Sequence, residues 1–187
     1  TTSANFRALV EKAMASSHNQ NHMRPVIEKE LLHYDILFAL DSQGLLDLLT
    51  FQGGTALRLC YGASRYSEDL DFVGGKNFSR ESFLEIKTCL EKYVGNRYGL
   101  EVSVKEPSKK DSAKKDPESI DGIQVDKWQL SVTTAPERKD IPKQKIKIEI
   151  SNVPAYSRVP RALARNYEFL PDGYSDLLVM TESLEEI

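Results

Sequence analysis

The sequence predicts an α+β or mixed α/β fold in which helices flank a mixed central sheet. Helical patterns come first in the 187-residue chain, and four or five strand-like segments with one intervening helix follow. Hydrophobic residues make up 40% of the chain and charged residues 28%, as in an ordinary globular domain with a sizeable core. We therefore expect one domain over residues 1–180 and the start of a further helix over residues 181–187.

Composition also argues against several classes of protein. No apolar run approaches the roughly 20 residues of a membrane span, so we expect no membrane association. The polar N-terminus "TTSANFRALVEKAM" does not resemble a secretion signal. Cys60 and Cys89 lie in helix-like patterns and are predicted to be buried thiols rather than a disulfide. These features predict a cytoplasmic protein.

The first half of the chain contains two helices, a strand and a short third helix. Apolar residues at helical spacing predict a helix over Phe6–Met14. A long amphipathic helix begins at Pro25, a residue suited to a first turn, and ends near Gly44. The run "LLDLLTF" predicts a buried strand that leads into Gly53-Gly54, and a short helix begins near Thr55.

The second half is richer in strands. "EDLDFV" predicts a strand, and Ser79 is placed to cap the next helix. Three further strands are predicted at "LEVSVKE", "IQVDKWQLSVTT" and "KIKIEISNV", with a polar, Lys-rich loop over 107–122. Residues 156–179 give no clear pattern, and "TESLEEI" begins like a capped acidic helix.

Two acidic side chains interrupt the otherwise apolar strand "EDLDFV". Because side chains alternate along a strand, Asp69 and Asp71 share one face while Leu70 and Phe72 point into the core. Carboxylates in such a place need a metal ion, a buried Lys or Arg, or water to offset their burial. The alternative is a solvated acidic strand end in a surface strand–turn–helix.

A third acid can join this pair from a later strand. In "KIKIEI" the isoleucines form the packed face, and Lys145, Lys147 and Glu149 lie on the other face. If this strand is a neighbour of the Asp69 strand, Glu149 completes a three-carboxylate cluster. Oxygen ligands on one face suit Mg²⁺, which takes its remaining ligands from water and phosphates.

A candidate anion site lies upstream of the acids. Gly53-Gly54-Thr55 enters a helix directly from a strand, so glycine permits close backbone approach and the free helix N–H groups favour an anion. A helix of about a dozen residues, at roughly 1.5 Å per residue, lets the chain fold back and bring the two sites together. The stretch therefore predicts phosphate binding beside metal binding.

Charge and histidine spacing are less decisive. The segment Lys105–Lys147 contains eleven Lys/Arg and eight Asp/Glu, whereas the rest of the chain contains 14 and 20. Nucleic acid or nucleotide could bind this segment, although a solvated loop is the simpler interpretation of Lys109–Lys115. His18 and His22 are four residues apart, but without a third ligand we do not predict a metal site there.

One stretch resembles a known family. An apolar residue, Gly-Gly, ten or so residues and then Asp-x-Asp is the signature of the polymerase-β-type nucleotidyltransferase superfamily. Within it, "FQGGTALRLCYGASRYSEDLDF" resembles the AbiEii family, the toxin half of type IV toxin–antitoxin and abortive-infection systems. The similarity covers Val26–Val73, "KIKIEI" and the start of "TESLEEI". It implies a nucleotidyltransferase fold.

The resemblance also implies a set of site residues. Nucleotide binding is implied for Gly53, Gly54, Thr55, Arg65 and Ser67, and catalysis and binding of Mg²⁺ (alternatively Mn²⁺) for Asp69, Asp71 and Glu149. Many relatives have Asp where this chain has Glu149. Arg65 is otherwise a surface arginine and Ser67 a turn hydroxyl, while Trp128 and Tyr61 either stack a base or belong to the core.

The implied activity is transfer of a nucleoside monophosphate from an NTP to an RNA acceptor, foremost a tRNA 3′ end, by a toxin with a cognate antitoxin. Relatives carry a further Lys and Asp on helices after the segment that ends here at Ile187. A nucleotide-binding or antitoxin-binding module without transfer is therefore the main alternative. A metal-dependent phosphoesterase is another, but such enzymes usually place histidines beside the acids, and all three histidines here precede them.

Overall fold

The computed structural model describes residues 3–16, 21–108 and 122–187. Within these ranges the chain forms four α-helices and seven strands. Their bounds are α1 Phe6–Ser16, α2 Arg24–Ser42, β1 Thr50–Gln52, α3 Gly53–Tyr61, β2 Leu70–Val73, α4 Glu85–Tyr98, β3 Val102–Lys105, β4 Val125–Val132, β5 Gln144–Ser151, β6 Val159–Ala162 and β7 Leu178–Thr181. None of the helices described is long and apolar enough to cross a membrane.

All seven strands form one mixed sheet in the order β3-β4-β5-β2-β1-β7-β6. The β2–β5 and β1–β7 pairs are parallel, and the other pairs are antiparallel. The predicted mixed α/β architecture is therefore confirmed. The sheet is larger than predicted because the segment without a clear pattern supplies β6 and the first half of β7.

One face of the β4–β5 region packs against helices and the other is open. The three isoleucines of β5 (Ile146, Ile148 and Ile150) are completely buried, as predicted from their alternation. The polar residues between them are exposed or half-buried. Helix α2 contacts α1, α4 and β5 and is buried over most of its length, so it forms the centre of the core.

The strand predicted at "LLDLLTF" is much shorter than expected. Leu45–Leu48 form a 3₁₀ helix, and only Thr50–Gln52 pair as a strand. Gly44 follows the end of α2 with a φ of 70°, which confirms the predicted end of this helix. The 3₁₀ helix buries Leu45 but leaves Leu48 60% exposed, because an apolar run alone does not distinguish a strand from a helical turn.

Of two predicted helix starts, one differs from the structure. Ser79 does not cap α4, since its hydroxyl bonds to Glu81 and a 3₁₀ helix over Arg80–Phe83 precedes α4. Over residues 181–187, Thr181 completes β7 and one turn follows, in which the Ile187 N–H donates to the Ser183 carbonyl, four residues back. That a further helix starts here stays a prediction.

Candidate active site

A glycine turn joins β1 to α3. Gly53 has a φ of 78°, a left-handed conformation that favours glycine, and a Cβ there would lie 3.0 Å from Asp71 Oδ2. A Cβ at Gly54 would lie 3.0 Å from Ser67 Oγ. The two glycines therefore let the start of α3 lie directly against the acidic segment and Ser67.

Two interactions hold α3 in this position. The buried Thr55 hydroxyl donates a hydrogen bond to the carbonyl oxygen of Asp69. The Arg58 guanidinium forms a forked ion pair with the buried Glu30 of α2, with Nε–Oε2 and Nη2–Oε1 distances of 2.8 and 3.1 Å. The hydroxyl of Thr55, a predicted nucleotide-binding residue, is thus engaged with Asp69. Its backbone N–H is one of the donors that the first turn of a helix leaves without an intrahelical partner.

The strand register brings the predicted acids together. Asp71 of β2 lies directly opposite Glu149 of β5 in the parallel pair. Asp69, just before β2, accepts a 3.4 Å hydrogen bond from the Lys147 backbone N–H through Oδ1. Leu70 is buried on the opposite face, as alternation predicts. The three carboxylates therefore lie on the open side of the sheet beside the glycine turn.

These carboxylates repel one another. Burial, then the charge of Glu149 and then that of Asp69 raise the pKa of Asp71 to about 6. Lys127 on β4 lies 3.5 Å from Glu149, with its Nζ toward Oε1, and offsets part of the negative charge. A cation bound at Asp71 would relieve the remaining repulsion, so the donor set fits a hard divalent ion.

The protein alone does not surround such an ion. In the described ranges, no three His, Cys, Asp or Glu side chains are arranged so that they could hold a metal between them. A cation at Asp69, Asp71 and Glu149 would take its other ligands from water or a phosphate, which matches the coordination habit of Mg²⁺.

A buried histidine forms a hydrogen bond with the backbone of the acidic segment. His33 of α2 lies with Nε2 2.8 Å from the carbonyl oxygen of Glu68, the residue before Asp69. Burial lowers the pKa of His33 to about 4, so the ring is neutral near pH 7 and its Nε2–H donates. The sequence interpretation gave His33 no role, because its partner is 35 residues away and no local pattern connects them.

An open cavity of about 490 Å³ adjoins the glycine turn. Its lining residues are Gly54, Leu57, Ala63, Arg65, Tyr66, Ser67 and Glu68. The two side chains predicted to touch phosphate, Arg65 and Ser67, both belong to this lining. The Arg58 guanidinium stacks over the Tyr66 ring at 4.1 Å from its centroid and so fixes that wall.

The remaining candidates lie elsewhere. Trp128 is 1% exposed in the core, which confirms the core interpretation over base stacking. The Tyr61 hydroxyl donates to the Glu182 carbonyl at 2.6 Å, and Arg161 lies over its ring. His18 and the Lys109–Lys115 segment lie outside the described residues.

The mixed sheet, with α3 between β1 and β2 and the acids at the β2–β5 pair, has the fold of nucleotidyltransferases. Over residues 35–187 the chain matches the family model described as "Nucleotidyl transferase AbiEii toxin, Type IV TA system". The chain therefore belongs to the AbiEii family of nucleotidyltransferase toxins, as the glycine–aspartate stretch predicted.

Among the solved structures, MenT4 agrees on the fold. The chain is similar to MenT4, a nucleotidyltransferase toxin from Mycobacterium tuberculosis H37Rv, with a TM-score of 0.60 and 19% identity over 97% of this chain and 55% of MenT4. It is also similar to JHP933 from Helicobacter pylori, with a TM-score of 0.47 and 22% identity over 86% of this chain and 53% of JHP933. The chain thus spans about half the length of these structures. No curated protein sequence gives a significant match.

Proposed function

We propose that this chain carries the catalytic site of a toxin that transfers a nucleoside monophosphate from an NTP to an acceptor hydroxyl. The observation that carries the proposal is the register of Asp71 opposite Glu149, beside the close packing of Gly53 on Asp71. It supports an anion site next to a cation site, the arrangement that transfer from a triphosphate requires.

The carboxylates serve as the cation site. Asp69, Asp71 and Glu149 would hold Mg²⁺ or Mn²⁺, which when bound stabilises charge on the reacting phosphate and lowers the pKa of the acceptor hydroxyl. Because the pKa of Asp71 is raised to about 6 in the free protein, we expect a bound cation to favour the ionised form and so to lower this pKa.

The glycine turn and the adjoining cavity serve the triphosphate. Free backbone N–H groups of the first turn of α3 would bind an anion beyond Gly54, and the helix dipole has the matching sign. Arg65 and Ser67 extend this site along the cavity wall. The acceptor hydroxyl gives up its proton to water or to a carboxylate of the cluster, and its oxygen attacks the α-phosphorus. The bond from that phosphorus to the bridging oxygen breaks, and pyrophosphate leaves.

The acceptor that fits this chemistry best is RNA, and we propose the 3′ end of a tRNA. Such transfer in the cytoplasm would block RNA function and so arrest growth or a phage infection. The family description as a type IV toxin supports a cognate antitoxin partner.

The test is label transfer by the full-length protein. It is incubated with each α-labelled NTP in turn, Mg²⁺ and total RNA, alongside Asp71→Asn, which removes one charge at constant shape. Asp176→Asn, on an exposed residue remote from β2 in sequence, is the matched control. We expect label on RNA with the wild type and the control and a loss of at least about 100-fold in Asp71→Asn. Equal labelling by all three proteins would refute the assignment.

A binding module without transfer is the second candidate. It is favoured by the glycine turn and the cavity lined by Arg65 and Ser67, which suit NTP binding whether or not transfer follows. It predicts that NTP raises the unfolding temperature while no RNA is labelled under any condition. A histidine-assisted phosphoesterase fits less well, because His33, the histidine under the acidic segment, is engaged with the Glu68 carbonyl.

A further inference from the structure

We propose that the open face of β3, β4 and β5 is the surface that binds the phosphate backbone of the acceptor RNA and leads its 3′ end to the carboxylates. We call it the basic face, defined by Lys105, Lys127, Lys145 and Lys147. The inference rests on the proposed function, since it names where that reaction's acceptor lies.

Strand register places these lysines on the same side as the catalytic acids. Lys145 and Lys147 precede Glu149 at intervals of two along β5, so the three side chains share a face. On β4, Lys127 lies opposite Glu149 and Gln129 lies opposite Lys147.

The third strand continues this row. Lys105 at the end of β3 lies opposite Gln129 of β4, and its side chain is exposed. Ser103 and Ser131, also opposite each other, add hydroxyl groups to the same face. The face is therefore continuous across three strands.

The charge of this face is almost wholly positive. Glu149 is the one acid on the open side of the three strands, because Asp126 is buried on the other side, where it pairs with Arg80. Lys127 pairs with Glu149, whereas Lys105, Lys145 and Lys147 form no ion pair with residues in the described ranges. Three unpaired ammonium groups beside the reaction site favour a polyanion.

The side-chain types favour RNA over a protein partner. The large apolar side chains that are exposed in the described ranges are Leu48, Leu84, Ile123, Ile141, Tyr156, Leu178 and Leu184, and none belongs to these strands. Protein interfaces are enriched in aromatic residues and poor in lysine, whereas nucleic-acid phosphates are bound by Lys, Ser and Gln.

The dimensions suit a chain end. Neighbouring strands are about 4.8 Å apart, so Lys105 and Lys147 are separated by about 10 Å across the sheet. Lys145 and Glu149 are separated by about 13 Å along β5. The lysines would therefore contact phosphates of the last few nucleotides before the reacting 3′ end, without reading the bases.

The test compares two triple variants of the full-length protein with equal change of charge. The face variant is Lys105→Gln/Lys145→Gln/Lys147→Gln, and the control variant is Lys12→Gln/Lys76→Gln/Lys92→Gln, at three exposed lysines outside the segment from β3 to β5. Binding of fluorescein-labelled tRNA is measured by anisotropy across a salt series, without NTP or Mg²⁺. Thermal unfolding of each variant confirms that it is folded.

We expect the face variant to bind tRNA at least about tenfold more weakly at low salt. The slope of log affinity against log salt should fall by about 2–3 units, close to one for each lost phosphate contact, and the control variant should match the wild type. Equal affinity of the two variants, or an equal loss with polyglutamate as probe, would overturn the inference. No reaction takes place in the binding assay, so its result can be interpreted separately from the label-transfer assay. Absence of transfer by the wild type would refute the proposed function without deciding whether the basic face binds tRNA.

Discussion

Replacement of Arg58 by methionine tests whether one buried ion pair holds the helix that starts at the site. Arg58 of α3 binds both carboxylate oxygens of Glu30, which is 1% exposed. Its Nη1 also donates to the carbonyl oxygens of Ala63 and Ser64, each at 3.1 Å, just after α3. Methionine keeps much of the packing volume and removes all of these hydrogen bonds.

The expected loss of stability is large because Glu30 stays buried. Without Arg58, its carboxylate keeps only neutral donors, the Asn166 amide at 3.2 Å and the Tyr167 hydroxyl at 2.9 Å. Removal of one partner of a buried pair costs about 3–5 kcal/mol. With a urea slope of about 2 kcal/mol/M, the unfolding midpoint should fall by about 1.5–2.5 M.

The double variant Glu30→Met/Arg58→Met separates charge from packing. With both charges gone, at least half of the lost stability should return, because a buried pair and an apolar pair are often similar in free energy. Urea unfolding followed by circular dichroism gives both numbers. A single variant within about 1 kcal/mol of wild type, or a double variant that recovers nothing, would refute the view that a paired charge fixes α3.

Three further predictions concern the same site. Gly53→Ala should reduce label transfer far more than Gly62→Ala, because both residues have a left-handed φ but only Gly53 would place a Cβ 3.0 Å from Asp71; equal losses in a transfer assay would contradict this. The pKa of His33 is lowered from 6.5 to about 4 in the folded protein. The contribution of His33 to the free energy of unfolding is therefore complete above about pH 6.5. As the pH falls toward 4, the free energy of unfolding should decrease by up to roughly 3 kcal/mol. His33→Gln, which can still donate to the Glu68 carbonyl, should flatten this part of the pH–stability curve, and an unchanged slope in urea unfolding would count against it. Mg²⁺ with a non-hydrolysable NTP at about 100 times its Kd should stabilise the wild type by about 2.7 kcal/mol and should do so far less in Asp71→Asn, as thermal unfolding would show.

The sequence was most informative about features that depend only on residues close together in the chain. The end of α2 at Gly44 and the buried isoleucines of β5 were predicted correctly, because a left-handed residue and strict alternation are local properties. The strand at "LLDLLTF" was mostly wrong, since Leu45–Leu48 are apolar enough for either structure and only packing selects the 3₁₀ helix. The segment that forms β6 contains Pro160 and Arg161, which suit an edge strand but do not predict one.

Side-chain alternation predicts which side chains share a face of a strand, but it does not predict which strands are adjacent. Alternation alone places Asp69 with Asp71 on one face, and Glu149 with the lysines of β5 on another. Whether β2 and β5 are adjacent, and in which register, depends on a pairing 78 residues apart in sequence, as the Asp69–Lys147 hydrogen bond shows. That information is a property of the whole sheet and has no local signature.

Helix α2 explains why the support of the site escaped sequence analysis. Its buried face includes three ionisable residues, Glu30, His33 and Asp35, each 1% exposed. Glu30 holds α3, and His33 holds the backbone before the acids. Asp35 accepts hydrogen bonds from Tyr98 of α4 and from Tyr174 and lies 3.0 Å from Arg97 Nε.

Burial of such groups is costly unless each finds its partner, and here the partners come from segments that follow α2 in the chain. The apolar stripe of α2 predicts a helix but conceals these polar positions, because they lie among buried residues rather than on a solvated face. The same long-range pairs that make α2 stable as a central helix therefore fix α3 and the acidic segment relative to each other. The geometry of the carboxylates and the glycine turn is thus a consequence of the completed core, and not of the stretch that contains them.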